Sequence, residues 1–168
     1  GFYSRSIGST QSIRSRNELS YTNSLLPPGS NSDDIYLFED TVSSVMSAFS
    51  AEEAPDMVFG DYVRISDSNR FMRVYHTWRE YDFERLLRVC YISQPTVFFR
   101  ADVIKDNPVD ESLHYGMDIE YWLRLGKKGY TFQHIGRLIA AERIHASAKT
   151  VARPDDSRRE GLDLRRRY

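Results

Sequence analysis

The sequence predicts an α/β fold in which a mixed sheet is flanked by helices. Apolar residues recurring at helical spacing alternate along the chain with short Val-, Phe- and Tyr-rich runs that end in turn residues. A chain of 168 residues is long enough for one core and too short for two ordinary ones, so a single domain is expected. Composition divides it into a Ser-, Arg- and Asn-rich lead-in over 1–30, poorly ordered or degenerate, an α/β domain over 31–150, and a charged C-terminal tail over 151–168.

Residues 37–54 read as a helix capped by Asp40 or Thr41, with Val42, Val45, Met46 and Phe49 on one face. Residues 56–65 read as a strand that turns at Ser66-Asp67-Ser68-Asn69 and returns over 71–76. A short helix capped by Asp82 follows over 82–87, then a strand over 95–100 and a helical turn over 102–106. The longest later helix spans 116–128, closed by Gly129, with Lys127 and Lys128 suiting the dipole of its last turn. Residues 130–135 and 138–144 read as two separate strands. The Arg-rich tail reads as a solvated charge run, with an amphipathic membrane-surface helix as the functional alternative.

The net charge of -1 excludes bulk binding of nucleic acid, because no excess of basic residues is present to displace counterions. No apolar run reaches the roughly 18 residues of a membrane-spanning helix, which leaves a peripheral membrane location open. Cys90 is the single cysteine, so no internal disulfide can form and a reducing compartment is compatible. It reads as buried and inert.

Two acidic stations carry chemistry. In Asn31-Ser32-Asp33-Asp34-Ile35-Tyr36, neighbouring carboxylates on a loop are hard oxygen ligands of the kind Mg²⁺ or Mn²⁺ prefers, although Asn, Ser and Asp also cluster in plain turns. In Met117-Asp118-Ile119-Glu120-Tyr121-Trp122-Leu123-Arg124, Asp118 opens a helix, where it suits a general base or simply the helix dipole.

These stations, with Val58-Phe59-Gly60-Asp61, Ile92-Ser93-Gln94-Pro95-Thr96-Val97-Phe98-Phe99-Arg100, the run from Asp110 to Leu125, and Arg143-Ile144-His145, resemble the family 2 glycosyltransferases. The resemblance covers about Gln11 to about Thr150, most of the chain. It implies the C-terminal portion of a GT-A fold, with the half that holds the nucleotide base missing from these residues. It also implies a helix opened by Gln11-Ser12 and ending near Asn17-Glu18-Leu19.

The activity implied is transfer of a sugar from a nucleotide-diphosphate sugar to an acceptor hydroxyl with inversion, assisted by Mn²⁺ or Mg²⁺. Under the resemblance, Asp118 is the catalytic base, and Asp33 is the preferred metal ligand, joined by Asn31 and His145. Asp34, Arg143 and Lys149 face the donor; Gln94 and Trp122 line the acceptor side. The plain readings stay beside these: Trp122 as core, His145 as a surface or capping histidine, and Gln94 as the lead into a strand fixed by Pro95. The partners implied are a nucleotide-sugar donor and a carbohydrate or lipid-linked acceptor, in polysaccharide or cell-envelope synthesis. The location implied is cytoplasmic, extending to the inner face of the membrane. The alternative is a truncated, non-catalytic remnant whose exposed sheet edge serves as a binding module or pairs two copies.

Overall fold

The computed structural model describes residues 13–14, 20–22, 35–144 and 153–168. Within them lies a mixed sheet with helices on both faces. The strands are β1 (Ile13–Arg14), β2 (Ser20–Thr22), β3 (Ile35–Tyr36), β4 (Met57–Ser66), β5 (Phe71–Tyr75), β6 (Phe98–Arg100) and β7 (Phe132–Ile144). The helices are α1 (Thr41–Phe49), α2 (Phe83–Arg88), α3 (Ala101–Asp106), α4 (Met117–Lys127) and α5 (Pro154–Arg167), and a 3₁₀ turn spans Gln94–Thr96.

The sheet runs β1-β2-β6-β4-β7-β3, with β5 also on β4. The central pair, β4 and β7, is parallel, and the other pairings are antiparallel. Since β7 follows β4 along its whole length, the other edge of β4 is shared. β6 takes Met57 and Val58, and β5 takes Tyr62 to Ile65.

Neighbouring strand residues point to opposite faces, and the core divides accordingly. Met57, Phe59 and Phe99 pack with Tyr121, Trp122, Leu123 and Leu125 of α4, joined by Leu86 of α2 and Val103 of α3. Val58, Phe98 and Ile139 instead meet Val45 and Phe49 of α1. Helix α1 therefore buries Val45 and Phe49 of the face its apolar spacing defines.

Halfway along β4 the ladder is irregular. Phe59 is opposite His134 and Asp61 is opposite Leu138, so two steps on β4 face four on β7. Gly60 makes this possible, since a Cβ there would stand 2.8 Å from the carbonyl oxygen of Arg137. Gly136 supplies the other half with a φ of 71°. Residues 132–144 are thus one bulged strand, a correction to the two strands expected there. The expected break at Gly136-Arg137 is the bulge itself.

Three other expectations are corrected. Within the segment expected to be a helix from Gln11 to Leu19, residues 13–14 are instead a short strand paired with residues 20–22, and β2 joins the sheet at β6; the rest of that segment lies outside the described residues. Helix α1 is shorter than residues 37–54, and Asp40 at its N-cap makes no side-chain cap bond. Its carboxylate is drawn to Arg137, at 2.9 Å. The C-terminal tail forms α5, with Asp155 and Asp156 in its first turn and Arg165, Arg166 and Arg167 in its last, the arrangement a helix dipole favours. Leu164 of α5 is wholly buried, so the helix lies on the domain instead of running free in solvent.

Other elements match their signals. The Asp82 carboxylate accepts from the Arg85 N–H at 2.9 Å and caps α2. Gly129 closes α4 with a φ of 87°. Among the described residues, no helix is long and apolar enough to cross a membrane.

Candidate functional site

Asp118 sits in the first turn of α4, and its Oδ1 accepts the Ile119 N–H at 2.8 Å. The residue keeps some exposed surface although its carboxyl is closely surrounded. Burial pushes that carboxyl up to about 6, and the negative charge of Glu142 on β7 adds to the shift. The bond from Ile119 opposes it without prevailing.

Glu142 belongs to a polar patch produced by strand register. Tyr62 and Arg64 alternate on β4 and so share a face, while Tyr75 and Glu142 are their cross-strand partners on β5 and β7. Arg64 donates from Nε and Nη2 to Glu142 Oε2 at 3.0 and 2.8 Å, and from Nη1 to the Tyr75 hydroxyl at 3.0 Å. The Tyr62 and Tyr75 rings lie parallel with centroids 4.7 Å apart. The Arg64 guanidinium lies 4.7 Å from the centre of the Tyr75 ring. All four residues are half-buried.

Cys90 lies in the segment after α2, within the fields of both Asp118 and Glu142, and its thiol donates to the Ile92 carbonyl at 3.3 Å. Burial and those negative charges push its thiol well up, which favours the protonated form.

A second constellation surrounds Asp61, which is 4% exposed in the middle of β4. Its Oδ1 accepts from the Thr77 N–H at 2.8 Å and from His134 Nε2 at 2.9 Å, and its Oδ2 meets His76 Nδ1 at 2.9 Å. His134 Nδ1 accepts the Gly136 N–H at 2.9 Å, so its proton is on Nε2 and the ring is neutral. Burial lowers the pKa of His134 and thus favours that same neutral form. On Asp61, burial opposes ionisation, but the bonds from His76, Thr77 and His134 outweigh it and hold the carboxyl below its ordinary range. The His76 ring is largely exposed.

Of the residues singled out from the sequence, Asn31, Asp33, Asp34, His145 and Lys149 lie outside the described residues. Among the described residues, no group of three or more His, Cys, Asp or Glu could hold a metal ion. Arg143 donates to the Ser66 and Asp67 carbonyls at 3.1 and 3.2 Å and so braces the turn between β4 and β5. Gln94 opens the 3₁₀ turn before β6 and is half-buried. Trp122 has no exposed surface: its ring stacks 5.4 Å from that of Phe99 in the core. The core reading of Trp122 therefore applies, and a side chain without surface cannot flank an acceptor.

Sequence reasoning assigned no role to Asp61, Tyr62, Arg64, Tyr75, His76, His134 or Glu142. One signal was available, since Asp61 interrupts a run of buried apolar residues and a buried carboxylate demands partners. No protein-family model matches the chain, and no curated protein matches it.

Proposed function

We propose that this chain is the acceptor-side portion of an inverting family 2 glycosyltransferase of GT-A type, with Asp118 as general base. The observation that carries the reading is the Asp118 carboxyl, which lies closely surrounded in the first turn of α4, within the field of Glu142, and is pushed up to about 6 by burial. Such a group is ionised at neutral pH yet basic enough to take a proton. In the reaction, the acceptor hydroxyl oxygen bonds to the anomeric carbon as its proton passes to Asp118. The bond from that carbon to the donor phosphate breaks, and the nucleoside diphosphate leaves with the electron pair.

The stacked Tyr62 and Tyr75 offer an aromatic surface for a sugar, and Arg64 and Glu142 offer donors and acceptors for its hydroxyls. Asp33, Asn31 and His145 would hold Mn²⁺ or Mg²⁺, a donor set rich in the oxygen ligands these ions take. When bound, the ion would supply charge compensation to the departing diphosphate. Asp34 and Lys149 are the remaining donor-side residues. Arg143, engaged with two turn carbonyls, is better suited to bracing than to a phosphate.

The test is thermal unfolding with and without Mn²⁺ against a panel of nucleoside diphosphates. Binding at a hundredfold excess over Kd adds about 2.7 kcal/mol, which raises Tm by roughly 5–10 °C in a domain of this size. A metal-dependent rise with one nucleotide supports a donor site. No rise with any of them contradicts it and favours a binding module, a reading supported by the exposed Phe71 and Met72 on β5.

A further inference from the structure

Helix α5 reaches the start of α4 with a carboxylate. Glu160 Oε1 accepts the N–H groups of Tyr115 and Gly116, both at 2.6 Å, and Oε2 accepts that of His114 at 3.0 Å. Burial would push the Glu160 carboxyl up, but these three N–H groups outweigh it and the carboxyl ends below its ordinary value. Gly116 is the N-cap of α4 and has no side chain with which to cap the helix. A carboxylate from at least 44 residues away thus holds the three amides that lead into the helix.

The rest of α5 is fitted to the same place. Leu164 fills the space over Gly116, where a Cβ would stand 2.3 Å from Leu164 Cδ1. The Tyr168 hydroxyl donates to Glu120 Oε1 at 2.7 Å, one turn beyond Gly116. Arg165 donates to the carbonyl of Arg88 at 3.3 Å and lies near Cys90. Contacts from α5 therefore bracket the first turn of α4 on both sides of Asp118.

We infer that Glu160 is a positioning residue for Asp118, because the carboxylate that α5 delivers to the amides opening α4 fixes the turn on which Asp118 sits. The mechanical claim stands on the contacts, and its bearing on catalysis rests on the transferase reading above. Charged or titratable groups near Asp118 are Glu142 from β7 and Cys90 from the segment after α2, with Arg165 of α5 close to Cys90. Glu160 itself is bonded to backbone. Its effect on Asp118 is thus exerted through the position of the turn.

The test is nuclear magnetic resonance of the isotope-labelled full chain, reading amide exchange at residues 114–116 and titration of the Asp118 carboxyl. A cleft of about 400 Å³ runs between residues 112–115 and α5, so water can reach the amides in Glu160→Ala. In that variant, exchange at His114, Tyr115 and Gly116 is expected to accelerate at least about tenfold, the scale of losing charge-assisted bonds. The Asp118 midpoint is expected to fall from near 6 toward the ordinary carboxylate range as the turn loosens into water. Glu160→Gln keeps an oxygen for Tyr115 and Gly116 and loses the acceptor for His114. Faster exchange at His114 alone, with the Asp118 midpoint retained, is expected there.

Unchanged exchange in Glu160→Ala would overturn the inference. So would faster exchange with an unmoved Asp118 midpoint, which would leave Glu160 a plain helix cap. If the Ala variant does not fold, Glu160→Gln decides, and equal acceleration at all three amides, or none, counts against the inference. Neither readout depends on activity, so failure to find a sugar donor would sink the transferase reading and leave these results standing.

Discussion

Asp118→Asn is expected to stabilise the protein at pH 8 by an amount on the order of 2–3 kcal/mol and to leave stability below pH 4 nearly unchanged. The native carboxyl has a pKa of about 6, against roughly 3.9 in an unfolded chain. Between those values the folded protein holds a proton that the unfolded chain has released. Stability therefore falls as pH rises from about 4 to about 6 and stays reduced above that range. Asparagine resembles the protonated acid and never ionises, so the substitution removes the penalty. Urea unfolding of both proteins at several pH values measures this difference, and a destabilised variant at pH 8 would contradict the burial-driven shift. A residue that costs stability at neutral pH fits a group kept for its chemistry.

The opposite sign is expected at Asp61. Asp61→Ala removes the acceptor for the Thr77 N–H, His134 and His76 at once, at a position 4% exposed. Leaving the buried Thr77 N–H and the neutral His134 Nε2–H without an acceptor costs about 1–3 kcal/mol for each. Asp61→Asn is expected to cost much less. Its amide oxygen can still take Thr77 and His134, and exposed His76 can switch tautomer to accept from the amide nitrogen. The Asp61 carboxyl is held below its ordinary range, so its contribution is present above that range and disappears as pH falls through the native value. Chemical denaturation of both variants at pH 7 makes the comparison, and equal losses for Ala and Asn would show that the hydrogen-bond pattern is not what matters.

Local signals were legible in the sequence, and pairings distant along the chain were not. The Asp82 cap and the Gly129 stop depend on residues within one turn and were read correctly from spacing. Asp40 looked equally suited to capping, but Arg137, 97 residues away, claims its carboxylate. The gap expected inside β7 is a bulge because Gly60 on the neighbouring strand leaves room for it, a fact that belongs to neither segment alone. A helix in the tail was read only as a membrane-surface alternative to a solvated run; its docking on the domain was not legible, because Leu164 is its one buried leucine and the partners of Glu160 are the amides of residues 114–116.

The candidate site shows the same division. Asp118 was visible as an acid opening a helix, whereas Glu142, whose charge acts on it, comes from β7 and is held by Arg64 through sheet register. Trp122 follows Asp118 by one turn, but helical spacing alone did not distinguish a surface ring from a core ring. The tight stacking against Phe99 decides that it is core.

The general-base role of Asp118 is tested most directly by release of nucleoside diphosphate from a panel of nucleotide sugars, with acceptor and Mn²⁺ present, between pH 5 and 8. Wild-type protein is expected to release one diphosphate with a rate that rises through pH 6 and levels off. Asp118→Asn is expected to lose about 10²–10⁴-fold in rate while the donor still raises its Tm. Equal release by Asp118→Asn and wild type, or a wild-type rate indifferent to pH across this range, would show that Asp118 takes no proton from the acceptor.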